Sequence, residues 1–159
     1  PWGDYGIRNT EDLEDGSTET IFDYKDTIFV ANRRLTDEGV RETYTVINRS
    51  GSDITFADKE FGIFTCFNDN YDKAEVCLKE KCHSHIWFAG DTAYILKKRR
   101  SGKSGGVGFL LLSGTSAGYA VERNWDSNDR GDFALLFKSF TIKDGEELQF
   151  ETLLFPFID

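Results

Sequence analysis

Several residue types are absent or scarce in this chain of 159 residues: it has no methionine, two histidines, two prolines and three cysteines. Because it starts at Pro1 and lacks methionine, we expect it to be excised from a longer multidomain chain. No apolar run approaches the roughly 18 residues of a membrane-spanning helix, so no membrane span is predicted.

Positive charge is also in short supply. The chain carries 19 Lys and Arg against 28 Asp and Glu, a formal net charge of −9. A nucleic-acid-binding protein needs a basic face to neutralise phosphates. We therefore predict no nucleic-acid partner.

Alternation of apolar and polar residues recurs along the whole chain and predicts strands. We expect ten or more short strands, with a first hairpin turning at Lys25-Asp26, and at most one or two helical turns within 70–81. The acidic segment 9–19 is expected to be a loop, and the apolar segment 106–114 a strand buried on both faces. The prediction is an all-β fold, a single antiparallel β-sandwich domain covering residues 1–159.

The segment "KCHSHIWFAG" at 81–90 contains both histidines. In a strand, His83, His85 and Trp87 share one face, while the mostly apolar residues between them face the core. A tryptophan beside two imidazoles can stack on a sugar and bond its hydroxyls. The alternative is that both histidines are structural. As an acid or base, either would need a partner, for which Glu122 is the nearest candidate, so His83, His85 and Glu122 are weak catalytic candidates.

The cysteines allow two interpretations. Cys77 and Cys82 are separated by "LKEK", and a disulfide between them would indicate an oxidising compartment. Cys66 would then be a buried apolar residue. A zinc site made by Cys77, Cys82, His83 and His85 fits no standard spacing, and Cys82 and His83 would point to opposite sides of a strand. No metal is predicted.

Two polar segments could contact a ligand. The segment 122–132 surrounds an aromatic residue with polar side chains, as sugar-contacting loops do, although it could equally bond its own backbone. Together with Trp87, its candidate carbohydrate-binding residues are Arg123, Trp125, Asn128, Asp129 and Arg130.

The basic segment 97–106, "KKRRSGKSGG", contains a fragment of a phosphate loop but has Lys97 where that motif needs glycine, so no cofactor is predicted. It is expected to be a solvated turn, or else a contact for an acidic polysaccharide or an acidic neighbouring domain. Asn48-Arg49-Ser50 forms a glycosylation sequon in a predicted turn.

A resemblance extends from about residue 20 to the end. The segments "IFVANRRL", "YTVINRSGSDITF", "FNDNYDKAEVCLKEKCHSHIWFAG", "GYAVERN", "SNDRGDF" and "IKDGEELQFETLLF" follow one another in this order. They resemble the N-terminal β-sandwich domain, a galactose-mutarotase-like supersandwich, of six-hairpin glycosidase-type enzymes of bacteria and fungi. The resemblance implies a catalytic α/α barrel following in the same chain, which would carry the catalytic carboxylates.

The sequence and the resemblance together favour a non-catalytic domain of a glycoside hydrolase-like enzyme, extracellular or on the cell surface. Its expected partners are the catalytic domain of the same parent chain and a polysaccharide or oligosaccharide. A domain that braces another should present an apolar patch, and the strand within 106–114 is a candidate to lie beneath it. The alternatives are an independent carbohydrate-binding module and a small sugar epimerase or mutarotase.

Overall fold

The structure, a computed structural model, describes residues 6–24, 26–70, 73–80, 82–102, 105–123 and 130–158. These residues form thirteen strands and one short helix. The strands are β1 (Gly6–Asp12), β2 (Thr18–Tyr24), β3 (Thr27–Leu35), β4 (Val40–Asn48), β5 (Ile54–Phe56), β6 (Gly62–Asn70), β7 (Cys82–Ala89), β8 (Thr92–Arg99), β9 (Gly106–Ser113), β10 (Ser116–Arg123), β11 (Arg130–Phe137), β12 (Phe140–Ile142) and β13 (Glu147–Phe157), and the helix is α1 (Ala74–Glu80).

The strands pair antiparallel in three sheets, which confirms the predicted all-β fold. An eight-stranded sheet has the order β1-β2-β3-β4-β13-β9-β8-β7. A three-stranded sheet, β10-β11-β6, packs against one face of it, and β12 pairs with β5 beside them. Strand β13 lies between β4 and β9, so the last strand in the chain joins the two halves of the large sheet.

The core between the sheets is built largely from phenylalanine. The ring of Phe61 lies 5.3–5.9 Å from those of five others, Phe29, Phe56, Phe137, Phe140 and Phe150. Phe137, from the small sheet, and Phe150, from the large sheet, have ring centroids only 4.3 Å apart. Rings at these separations interlock the two sheets and add to the free energy gained by burying their apolar area.

Two sequence-based expectations need correction. The acidic segment predicted as a loop begins inside β1, which pairs with β2, and only 13–17 forms a turn between them. Strand β9 is not fully buried on both faces: Phe109 and Leu111 lie in the core, whereas Leu110, on the other face, is half-buried and Leu112 is exposed. An edge strand needs only backbone pairing and tolerates exposed acidic side chains, which explains β1.

Other local expectations are confirmed. Strands β2 and β3 form the predicted first hairpin, whose turn residue Lys25 lies outside the described residues. The helical turns expected within 70–81 are α1, which is seven residues long and carries a Glu75–Lys79 ion pair at 2.6 Å.

The sequon asparagine has a structural role instead of an exposed one. Asn48 is 0 % exposed, and its Nδ2 donates to the carbonyls of Ser52 (2.7 Å) and Ile142 (2.9 Å). Its Oδ1 accepts from the backbone N–H and the hydroxyl of Ser50. The Asn48 amide therefore ties the turn after β4 to the end of β12.

Candidate functional site

The alternation predicted for β7 is present. Ile86 and Phe88 pack against the core cluster, whereas His83, His85 and Trp87 are exposed, with Trp87 at 52 %. We call the side of the large sheet that is turned away from the small sheet the outer face. On β7, β8, β9 and β13 its described residues include His83, His85 and Trp87 of β7, Tyr94, Leu96 and Lys98 of β8, Gly106, Gly108 and Leu110 of β9, and Leu153, Phe155 and Phe157 of β13.

Tyr94 adds a second aromatic residue to the outer face, and sequence reasoning missed it. Its ring stacks on that of His85 with centroids 5.7 Å apart and planes inclined by 13°. The Tyr94 hydroxyl lies 3.3 Å from His85 Nε2, within hydrogen-bond distance. Tyr94 is also the direct cross-strand partner of Trp87, so His85, Tyr94 and Trp87 are neighbours on the outer face. We call these three residues the platform.

The turn between β7 and β8 explains why these three residues meet. Gly90 has φ +57, a left-handed conformation that glycine adopts without steric cost, and Asp91 completes a two-residue connection. Such a tight turn fixes the register of the hairpin, pairing Trp87 with Tyr94. The sequence signal that could have found Tyr94 was therefore the Gly-Asp pair, and not the spacing of the histidines.

The rest of the outer face beside the platform is apolar. Gly106 and Gly108 have no side chain, and the rings of Phe157 and Phe155 lie over them: a Cβ atom on Gly108 would lie 2.3 Å from Phe155 Cζ. Leu110 and Leu96 continue this surface toward the platform, and both are only half-buried. Strand β9 thus lies beneath a half-buried apolar patch.

The described residues place no carboxylate in an ion pair with His83 or His85. Glu122 belongs to β10 in the other sheet, and its side chain lies outside the described residues. The acid–base pairing suggested for these three residues therefore remains a prediction. Tyr94 is the partner that the structure gives to His85.

Of the three cysteine side chains, the structure describes only that of Cys82. Cys82 is half-buried and carries a free thiol, so the disulfide with Cys77 is not shown. The side chains of Cys66 and Cys77 lie outside the described residues. Within the described part of the chain, no group of three or more His, Cys, Asp or Glu could hold a metal ion.

The predicted sugar-contacting segment connects β10, which ends at Arg123, to β11, which begins at Arg130. Residues 124–129, including Trp125, Asn128 and Asp129, lie outside the described residues, as do the side chains of Arg123 and Arg130. Their assignment to carbohydrate binding stays a prediction.

The basic segment is not uniformly solvated. Lys97 is only 8 % exposed, and its ammonium group lies 5.0 Å from the centroid of the Phe133 ring, in cation–π contact across the two sheets. Arg99 and Arg100 are exposed, and Arg100 Nε donates to the carbonyl oxygen of Cys82 at 3.2 Å. The second half of the run therefore lies beside the start of β7.

A second polar group lies on the opposite half of the large sheet. Glu42 accepts from Arg33 Nε at 2.6 Å and from the Tyr44 hydroxyl at 2.9 Å. Burial raises the pKa of Tyr44 well above its ordinary value, and the charge of Glu42 raises it further. Tyr44 therefore stays protonated at neutral pH and serves as a donor to Glu42, a structural arrangement that the sequence did not suggest.

Within the described residues, no helix is long and apolar enough to cross a membrane. No protein-family model matches the chain, and no curated protein matches it either. Solved structures do match.

A galactose mutarotase-like protein from Clostridium acetobutylicum superposes on 98 % of this chain and 67 % of its own, with a TM-score of 0.57 and 9 % identity. At that identity the likeness concerns the fold alone. The chain therefore has a galactose-mutarotase-like β-sandwich fold.

A polysaccharide lyase superposes more closely, with a TM-score of 0.77 and 27 % identity. The match covers 92 % of this chain but only 22 % of the lyase, so the chain spans less than a quarter of that enzyme. The fold and this likeness together define a domain of the kind found in carbohydrate-active enzymes. The six-hairpin glycosidase parent expected from the sequence is not confirmed.

Proposed function

We propose that this chain is a non-catalytic β-sandwich domain of a polysaccharide-degrading enzyme, in which it braces a catalytic α/α barrel and contacts the glycan. The observation that carries the proposal is the superposition on a polysaccharide lyase over 92 % of this chain and 22 % of that enzyme. Most of the lyase thus lies outside the matched part. The parent activity we propose is accordingly lyase-like, in preference to the glycosidase activity expected from the sequence.

The apolar part of the outer face supports the bracing role. Leu110, Phe155 and Phe157 form an apolar surface on a sheet whose other face already packs the core. Contiguous exposed apolar surface on a soluble domain marks a site of interaction. We propose that the catalytic domain covers this surface, with the platform at its rim, where it could contact a bound glycan.

The second candidate, an independent carbohydrate-binding module, is favoured by the platform itself. An exposed tryptophan beside a stacked His–Tyr pair offers flat ring faces to a sugar, and the histidines offer ring nitrogens to its hydroxyls. The two candidates share this site and differ in whether a catalytic domain covers the neighbouring apolar surface. The epimerase stays a prediction, because the Glu122 side chain lies outside the described residues.

The proposed location is outside the cell or on its surface, because a polysaccharide is too large to cross a membrane before it is degraded.

Charging the apolar surface tests the bracing role. In the native full-length protein, Leu110→Asp should separate the unfolding transition of this domain from that of its neighbour and reduce polysaccharide cleavage, because an unpaired carboxylate would be buried at the interface. Differential scanning calorimetry and an activity assay measure both effects, with Phe157→Asp as a second variant.

The control is Thr45→Asp, which places the same charge on β4, in the other half of the large sheet. If Leu110→Asp and Phe157→Asp both behave like Thr45→Asp, while the isolated variant domains stay folded, the apolar surface does not hold a catalytic domain.

A further inference from the structure

We propose that the platform and the basic end of the β7–β8 hairpin bind an anionic polysaccharide, one bearing carboxylate or sulfate groups. This inference rests on the proposed function and specifies its ligand class. It concerns a binding site on the sandwich itself. Three observations carry it: the distribution of charge along the chain, the position of the arginines, and the geometry of the platform.

Charge is distributed very unevenly. Residues 81–121 contain six Lys and Arg and a single acidic residue, Asp91, which gives a formal charge of +5. The remaining residues therefore carry a formal charge of −14, which brings the net charge of the whole chain to −9. Asp91 lies at the turn end of the β7–β8 hairpin and accepts a hydrogen bond from Thr115 at 3.0 Å. An anionic polymer would be repelled by most of the domain and attracted to this region.

The exposed cations lie at the end of the hairpin opposite that turn. Lys98 is the cross-strand partner of His83 and shares the outer face with it, whereas Arg99, the partner of Cys82, belongs to the other face. The bond from Arg100 Nε to the Cys82 carbonyl holds that guanidinium beside the first residue of β7. Its two terminal nitrogens are the part that recognises a carboxylate or sulfate with paired hydrogen bonds.

The platform continues from these cations along the same hairpin. From His83 to Trp87 the strand rises about 13 Å, at roughly 3.3 Å per residue. An extended polysaccharide lying along β7 would therefore place sugar rings on Trp87 and on the His85–Tyr94 pair, and a charged substituent beside His83 and Arg100. The ring faces alone would bind neutral and anionic sugars equally well. The preference for an anionic polysaccharide is therefore expected to come from the cations.

Matched polymers test the inference on the 159-residue chain. Affinity electrophoresis at low salt should show retardation by dextran sulfate or polygalacturonate, but not by dextran or fully methyl-esterified polygalacturonate. The first pair tests sulfate and the second carboxylate on otherwise equal backbones. Retardation should weaken as salt rises, because at 0.15 M ionic strength screening acts over about 8 Å.

Variants locate the site. Trp87→Ala should weaken binding roughly fivefold to tenfold through the lost stacking surface. Arg100→Gln should weaken it about tenfold and flatten its salt dependence. The control is Lys143→Gln, which removes one positive charge from the exposed turn just before β13. Lys143 is remote from the proposed site, because it is the opposite end of β13, at Phe157, that lies near Lys98.

The possible outcomes are distinct. Equal binding of neutral and anionic polymers would overturn the ligand class and leave the proposed glycan contact standing. Binding unchanged in both the Trp87 and the arginine variants would overturn the site. Preference for single-stranded DNA over every polysaccharide would overturn the inference as a whole. Binding to no polymer would also overturn it, whereas the bracing role would still be decided by the Leu110→Asp experiment.

Discussion

Phe137→Ala is expected to lower the free energy of unfolding by about 3–5 kcal/mol, as Phe-to-Ala changes in well-packed cores do. Phe137 is 1 % exposed, and its ring contacts both Phe61 and Phe150, so truncation would open a cavity between the two sheets. Urea unfolding followed by tryptophan fluorescence measures the change. A loss of this size is a large share of the total stability of a small domain.

The matched control is Phe137→Leu, which keeps most of the buried volume and should cost markedly less, about 1–2 kcal/mol. If Phe137→Ala and Phe137→Leu were equally mild, the two sheets would not meet at this ring, and the sandwich core described above would be wrong.

Asn48→Ala is expected to cost about 2–4 kcal/mol, because it removes several hydrogen bonds and leaves buried partners unsatisfied. The Asn48 amide donates to two carbonyls and accepts two hydrogen bonds from Ser50, and the bond to Ile142 is buried. Thermal unfolding by circular dichroism measures the loss.

The adjacent Arg49 is exposed, and Arg49→Ala should change stability by no more than about 0.5 kcal/mol. Similar small effects for Asn48→Ala and Arg49→Ala would mean that the turn after β4 is held by its backbone alone. In that case the tie between β4 and β12 would have no energetic importance.

The parts of the fold that the sequence predicted are those with strict alternation. In β7 the apolar Ile86 and Phe88 alternate with His83, His85 and Trp87, and this pattern alone indicates which face is buried. The segment forming β1 has no such pattern, since Glu11 and Asp12 are exposed, and its pairing with β2 depends on backbone groups that composition does not reveal. Edge strands are therefore the elements that pattern reading misses.

Strand β9 shows a different limit. Its apolar residues predicted burial on both faces, but apolar character does not distinguish a covered face from one that awaits a partner. The structure places Phe109 and Leu111 in the core and leaves Leu110, on the other face, half-buried. Whether the second face of such a strand is buried depends on what packs against it, and the residues of the strand alone do not show this.

The candidate site was half predictable. Alternation placed His83, His85 and Trp87 on one face, but Tyr94 joins them through the register of the hairpin, which depends on the turn at Gly90. Lys97 looked like part of a solvated run and is instead buried on Phe133, because side chains alternate through a charged segment as through any other strand.

The measurement that tests the central claim most directly is made on the native protein from its source. An antibody against this domain would capture the native chain, whose mass and polysaccharide-cleaving activity are then determined together. The account predicts a chain several times heavier than the 18.1 kDa of these 159 residues, with cleavage of a polysaccharide. A chain near 18.1 kDa that neither cleaves nor binds any polysaccharide would contradict the account.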